Sequence, residues 1–230
     1  MPLRRHEVTR LEGFSDAVFG FALTLLVVSL DVPNNVDELL KDMQGLVGFA
    51  LTFAMVCWIW YEHNVFFRSY GLQDQWTVFL NCVLLFVVLF YVYPLKFLTA
   101  ALMRQFFGIG REGGPSFHGS SANDGAALML LYSSGIVLLF FVFVMLYRHA
   151  WKKRAELNLT EKEELSLRYG QRAHLLSMGL GIASLMIVLV NPDMAPIAGM
   201  IYGLMGPLHA WNGYQSGKAH ERLDMRTQGS

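Results

Sequence analysis

Charge is scarce in this chain: 16% of its 230 residues are Asp, Glu, Lys or Arg, against about 25% in an ordinary soluble domain. Eighteen basic residues are matched by eighteen acidic ones, so no basic excess supplies the electrostatic footprint of a nucleic-acid-binding protein. Cysteine is nearly absent. Cys57 and Cys82 both lie inside long apolar runs, where a thiol acts as a small buried hydrophobe. Two such residues give neither a disulfide framework nor metal-site spacing. What the chain has instead is 54% hydrophobic residues, among them 17 Phe and 12 Met, a composition suited to helices that face lipid.

A bilayer core about 30 Å thick is crossed by roughly 20 apolar residues in helical form. Six runs approach that length, over residues 14–30, 46–67, 76–102, 126–147, 173–190 and 194–211. Ser15 and Asp16 interrupt the first, and its charge-free part also has the length of a signal-peptide core. Glu7, Glu12 and Asp16 precede that part and no small-x-small cleavage site follows it, so it reads as a span rather than a cleaved leader. The expected architecture is an all-α, polytopic membrane protein with six transmembrane helices, forming a single domain over residues 1–230.

The basic residues give an orientation. Arg4, Arg5 and Arg10 precede the first span, Arg68 follows the second, seven basic residues lie between 148 and 172, and Lys218, Arg222 and Arg226 close the chain. Together they make fourteen of the eighteen on one side, leaving Lys41, Lys96, Arg104 and Arg111 for the other. The positive-inside rule then puts both termini in the cytoplasm, as an even number of spans requires. The outward links are an acidic one containing Asp31, Asp37, Glu38 and Asp42, a glycine-rich stretch over 108–125, and a tight Asn191-Pro192-Asp193 turn. Inside, residues 151–172 have mixed charge, and Thr160-Glu-Lys-Glu163 resembles a helix-capping box. That segment is expected to form a short surface helix.

Ionisable groups within a membrane are costly and are functional candidates by default, which brings forward Asp16, Glu62, His63 and Lys96. The first three share the cytoplasmic leaflet with Arg10. They suit a polar cluster tying helices together, the coupling groups of a secondary transporter or proton-coupled carrier, or side chains that simply snorkel to the interface. Lys96, two residues after Pro94 near the outer end of the third span, reads as a snorkelling cation. His63, His149, His174 and His209 fall near one depth, which raises a haem-bearing redox subunit as a third reading. A bis-histidine site needs two rings facing each other across the bundle.

A helical wheel of the first span, drawn at about 100° per residue with Phe21 at zero, places Arg10, Phe14, Ala17, Thr24, Leu25 and Val28 within about 60° of it. Gly13 and Gly20 fall to one side of this stripe, where small residues permit close helix approach. Asp16 lies about 140° away. The helix therefore has a mostly apolar stripe with one hydroxyl, and a separate face that carries the acid.

Arg10-Leu-Glu-Gly-Phe14-Ser15-Asp16 fits R-x-x-x-F-S-D at the inner end of the first span. It resembles the signature of the endolysosomal potassium channel family, transmembrane protein 175 type, including its single-repeat prokaryotic members. Trp60-Tyr-Glu-His63 in the second span is similar to that family's W-x-x-H, and Asn81, Leu85 and Pro94 follow in the familiar order in the third. The resemblance covers roughly the first hundred residues; the later spans match only in number and hydropathy. It implies a potassium-permeable cation channel of the prokaryotic cell membrane, not an enzyme, with no cofactor beyond the permeant potassium ion. It also implies a homotetramer in the lipid bilayer, with a pore lined by the first helix of each subunit and narrowed by apolar side chains. Carried onto these positions, Arg10, Phe14, Ser15 and Asp16 form a structural network, with Trp60, His63 and Asn81 as candidate partners. Phe21, Thr24, Leu25 and Val28 face the pore. Phe21 departs from the family, whose narrowest ring is usually Ile or Leu. The chain contains no T-V-G-Y-G, which excludes the carbonyl cage of P-loop potassium channels. Selectivity then falls to side chains, and Thr24 is the one hydroxyl on the stripe.

Overall fold

The computed structural model describes residues 8–28, 33–110, 115 and 122–228. Arg4, Arg5, Glu7, Asp31, Arg111, the last two residues of the first predicted span and most of the glycine-rich stretch lie outside the described residues. The elements are α1 (Arg10–Val28), α2 (Val36–Met43), α3 (Leu46–Tyr70), α4 (Gln75–Phe107), α5 (Ala122–Lys152), α6 (Glu161–Val190), α7 (Ala195–Met200) and α8 (Met205–Gln228), with 3-10 turns at Pro192–Met194 and Ile201–Leu204. No strand occurs among the described residues. Five of these helices, α1, α3, α4, α5 and α6, are long and apolar enough to cross a membrane.

The helix starts follow from local chemistry. Thr9 and Glu12 form a reciprocal capping box at α1: the Thr9 N–H donates to Glu12 Oε2 at 2.8 Å and the Glu12 N–H to Thr9 Oγ1 at 3.2 Å. The acidic link holds a short amphipathic helix, with Val36, Leu39, Leu40 and Met43 at helical spacing. In α2, Asn35 Oδ1 accepts the Glu38 N–H at 2.8 Å while Glu38 Oε2 accepts the Asn34 N–H at 2.7 Å.

Two sequence expectations are corrected. The predicted capping box at Thr160 is present, but it opens α6 itself rather than a separate surface helix. The one glycine between box and span, Gly170, does not end the helix; it lies where a side chain would meet the Tyr147 ring. The predicted sixth span, 194–211, is not one α-helix but α7, a 3-10 turn and the first turns of α8. Pro207 has no N–H to donate one turn back, and Gly199, Gly203 and Gly206 weaken the helix around it.

The described residues group into two compact units, one within 7–67 and 85–121, the other within 68–84 and 122–230. In the first unit α3 and the later part of α4 run antiparallel. The Thr52 and Thr99 hydroxyls meet at 2.6 Å, and a Cβ added to Gly48 would lie 3.0 Å from the Ala100 Cα. At the end of α4, Gly108 takes a left-handed φ of 66° and its N–H donates to the Arg104 carbonyl at 3.1 Å. This is the αL cap that glycine alone adopts cheaply.

In the second unit α5 and α6 pair closely, with Gly181 giving room to Val137. A buried hydroxyl chain ties that pair to the irregular segment after it. Tyr202 Oη donates to Ser133 Oγ at 2.8 Å, Ser133 Oγ lies 2.9 Å from Ser184 Oγ, and Ser184 Oγ donates to the Ala198 carbonyl at 3.1 Å. These bonds satisfy polar groups in a segment whose helix is broken.

Asp74 caps the start of α4, accepting the Trp76 and Thr77 N–H groups at 3.1 and 3.2 Å and the Thr77 hydroxyl at 2.9 Å. It also holds His149 Nε2 of α5 at 2.9 Å and has Lys153 Nζ at 3.8 Å. Partial burial pushes its pKa up, but the hydrogen bonds from His149 and then Thr77 outweigh that and hold the carboxyl at about 2. A depressed carboxylate pKa stabilises the fold above the unfolded value of about 4 and loses that contribution as pH falls toward the folded value. Asp74→Asn keeps a cap acceptor and removes the charge. With this group 27% exposed, the expected cost at neutral pH is about 1–2 kcal/mol after solvent screening. Between pH 4 and 2 the gap between the two proteins closes, as melting of detergent-solubilised protein would show. A constant gap would remove the charge from the account.

Candidate functional site

α1 is amphipathic in packing rather than in polarity. Glu12, Ser15, Phe19, Ala22 and Leu26, spaced three or four apart, form its buried face. Phe19 meets the His63 ring of α3 at 5.5 Å between centroids, and His63 lies 4.5 Å from Phe67. His63, 1% exposed, is thus held among aromatic rings. Three residues before Phe19, Asp16 accepts the Trp60 indole N–H at 2.7 Å. Ser15 is buried and donates to the Leu11 carbonyl at 2.8 Å. One hydrogen bond and one ring contact therefore fix both the rotation and the height of α1 on α3.

The bond between Asp16 and Trp60 is testable by itself. Trp60→Phe keeps an aromatic ring and deletes the donor, and hydrogen bonds to charged groups contribute about 1.5–3 kcal/mol. We expect a lower melting temperature for Trp60→Phe, and little further loss when Asp16→Ala is added, because the two changes remove one interaction. Additive losses would show that the pair is not coupled.

Away from α3, the helix presents Arg10, Phe14, Ala17, Phe21, Thr24, Leu25 and Val28, all exposed. Phe14 is 56%, Phe21 57% and Val28 72% exposed. The spacing of 10, 14, 17, 21, 24 and 28 alternates four and three, the repeat that lets one helix line a seam with others like it. Arg10 and Phe14 were expected in the network with Asp16. Both lie on this stripe, where the helical wheel places them, because that repeat carries them away from the Ser15 and Phe19 face. Nothing lies within 4 Å of a Cβ built on Gly13 or Gly20, so the close approach expected there is not made by the described residues of this protomer. Thr24 donates its hydroxyl hydrogen to the Gly20 carbonyl at 2.9 Å.

The remaining candidates have separate places. Glu62 is hydrogen-bonded by Trp58, one turn earlier on α3. Asn81 is fully buried in the second unit. His149 binds Asp74, His174 stacks on Phe143 at 4.7 Å, and His209 Nε2 lies 2.7 Å from Ser177 Oγ. No group of three or more His, Cys, Asp or Glu among the described residues is placed to hold a metal. Glu12 and Asp74 were missed in the sequence. Thr9-x-x-Glu12 and Asp74-x-x-Thr77, each just before an apolar run, were the available signals.

Comparison with known proteins now bears on this geometry. The family model described as endosomal/lysosomal potassium channel TMEM175 matches residues 10–91. A protein of Marivirga tractuosa named potassium channel is 37% identical over 227 residues, which cover 96% of this chain and 92% of that one. The chain belongs to the TMEM175 family. A potassium channel of Chamaesiphon minutus is 31% identical over 105 residues, covering 42% of this chain and 52% of that protein. Among solved structures, a threonine-to-alanine variant of the potassium channel MtTMEM175, bound to a nanobody fusion, matches at 36% identity with a TM-score of 0.83, over 94% of this chain and 97% of that one. A TMEM175 homologue from Chamaesiphon minutus, at 21% identity and a TM-score of 0.57, shares the fold.

Membership in this family makes the chain a multi-pass membrane protein with bacterial relatives, built on an ion-channel fold without a P-loop and not on an enzyme. The matched segment contains all of α1 and α3, including Asp16, Trp60, Phe19 and His63. It is the part of the TMEM175 chain in which the sequence signature and the packing of α1 coincide.

Proposed function

We propose that four copies of this chain assemble around their α1 helices into a potassium-permeable channel, with Phe21, Thr24, Leu25 and Val28 lining the pore. The observation that carries this reading is the hydrogen bond from Thr24 to Gly20. Its donation inside the helix leaves the Thr24 oxygen with lone pairs alone to offer outward, on the exposed stripe. Four such oxygens around an axis can replace part of the hydration of a cation, and they offer nothing to an anion. Phe21, about one turn earlier, supplies an apolar ring where water is expelled. Arg10 stands at the start of the same stripe. The relatives named as potassium channels support the choice of ion.

The carrier reading relies on Asp16, Glu62 and His63 as exchangeable proton sites. Asp16 and Glu62 are each held by an indole donor, and His63 by phenyl rings, which suits fixed struts better. Purified protein in liposomes should pass potassium down its gradient at a rate indifferent to a proton gradient, and native mass spectrometry of the same preparation should give a tetramer. Flux that requires a proton gradient, or no flux at all, would overturn the reading.

A further inference from the structure

The first unit contains a cavity of about 440 Å³ at the end where α3 begins and α4 finishes. Among its described lining residues are two cations, Lys96 and Arg104, and one acid, Asp42 from α2. Lys96 and Arg104 are eight residues apart on α4, so they lie on one helix face two turns from each other. All three charged side chains are half-buried. The walls beside them include Phe49, Phe97 and Tyr93. The lining thus carries an excess of one positive charge within aromatic surface, on a helix long and apolar enough to cross a membrane.

The site is built on rigid parts. The close approach of Gly48 to Ala100 joins α3 to α4 at the cavity wall, and the bond between Thr52 and Thr99 holds the same two helices together. The glycine cap at Gly108 ends α4 and folds the chain back, so that Gly110 lies against the Arg104 stem. A snorkelling lysine needs none of this. Two cations on one helix face, beside a half-open and partly aromatic cavity at a membrane helix end, are an arrangement that can hold a lipid head group.

We infer that this cavity binds an anionic amphiphile, its phosphate at Lys96 and Arg104 and its acyl chain against the Phe49, Phe97 and Tyr93 surface. The guanidinium fork suits phosphate oxygens, and the cavity is far larger than phosphate alone. The inference is independent of which residues line the pore, since none of the lining groups lies on α1.

The test uses delipidated full-length protein, incubated with vesicles of phosphatidylcholine containing phosphatidylglycerol and examined by native mass spectrometry. Wild-type protein should retain phosphatidylglycerol in preference to phosphatidylcholine. Lys96→Gln and Arg104→Gln should each lower that retention roughly fivefold, the effect of one basic residue near an anionic lipid. Asp42→Asn should raise it, and this gain keeps the test decisive if either cation variant folds poorly. Equal retention of the two lipids by wild-type protein, or three variants that retain lipid as wild type does, would overturn the inference. Displacement of bound lipid by millimolar inorganic phosphate would show a site for the free anion and overturn the lipid assignment.

Discussion

Phe21→Ala should raise the unitary potassium current several-fold, and Phe21→Leu should fall between that variant and the wild type. On its own protomer the phenyl ring is 57% exposed, so packing within the subunit does not account for its size. A ring of phenyl groups around a narrow axis removes water from a passing ion and returns no ligand, which sets the barrier at the most apolar ring. Truncation to alanine widens that ring and readmits water, whereas leucine restores the side chain usual in the family. The competing role is a knob between neighbouring subunits. In that role alanine leaves a cavity costing about 3–5 kcal/mol, and the oligomer dissociates at lower temperature while each remaining channel conducts as before. Current per channel and thermal dissociation, read on the same variant, separate the two. Unchanged current with a weakened oligomer would move the constriction to Leu25 or Val28.

Thr24→Val should lower the potassium-to-sodium permeability ratio strongly while leaving expression and oligomer stability close to wild type. The two side chains have nearly the same shape, and Thr24 is exposed, so little packing is disturbed. What is lost is the oxygen, and with it the one polar ligand on the exposed stripe. Thr24→Ser retains the hydroxyl and should retain selectivity, which distinguishes the oxygen from the methyl group. The reversal potential under bi-ionic conditions is the readout. If it does not move in Thr24→Val, selectivity resides elsewhere.

Much of this arrangement was legible before any coordinates. The wheel separated Asp16 from Phe21 because helix periodicity is fixed by the backbone, and the structure accordingly has Asp16 on α3 through Trp60 and Phe21 exposed. Hydropathy found the long helices because each crosses apolar surroundings with its backbone satisfied internally. The errors came where local chemistry competes with composition. Residues 161–172 are polar enough to read as a surface piece, yet the capping box at Thr160 starts a helix that runs unbroken to Val190. Residues 194–211 are apolar enough to read as one helix, yet Pro207 and three glycines divide them. The cavity around Lys96 and Arg104 was out of reach, because it depends on where α2 packs, an amphipathic helix of eight residues that is too short to register as a span.

The attachment of α1 to α3 also decides which motions remain. Asp16 on Trp60 and Phe19 on His63 hold the helix at two points three residues apart, so a rotation that carried Gly20 into the place of Phe21 would break both. In the proposed channel α1 would then serve as a fixed wall, with side-chain torsions as the parts free to move along it. Exposed rotamers exchange in picoseconds to nanoseconds, whereas helix rotations take microseconds to milliseconds. Phe21 rings lining the proposed pore would therefore open and shut it far faster than an amplifier follows. The recorded current of such a pore is a time average, and warming alters its amplitude before it alters any dwell time.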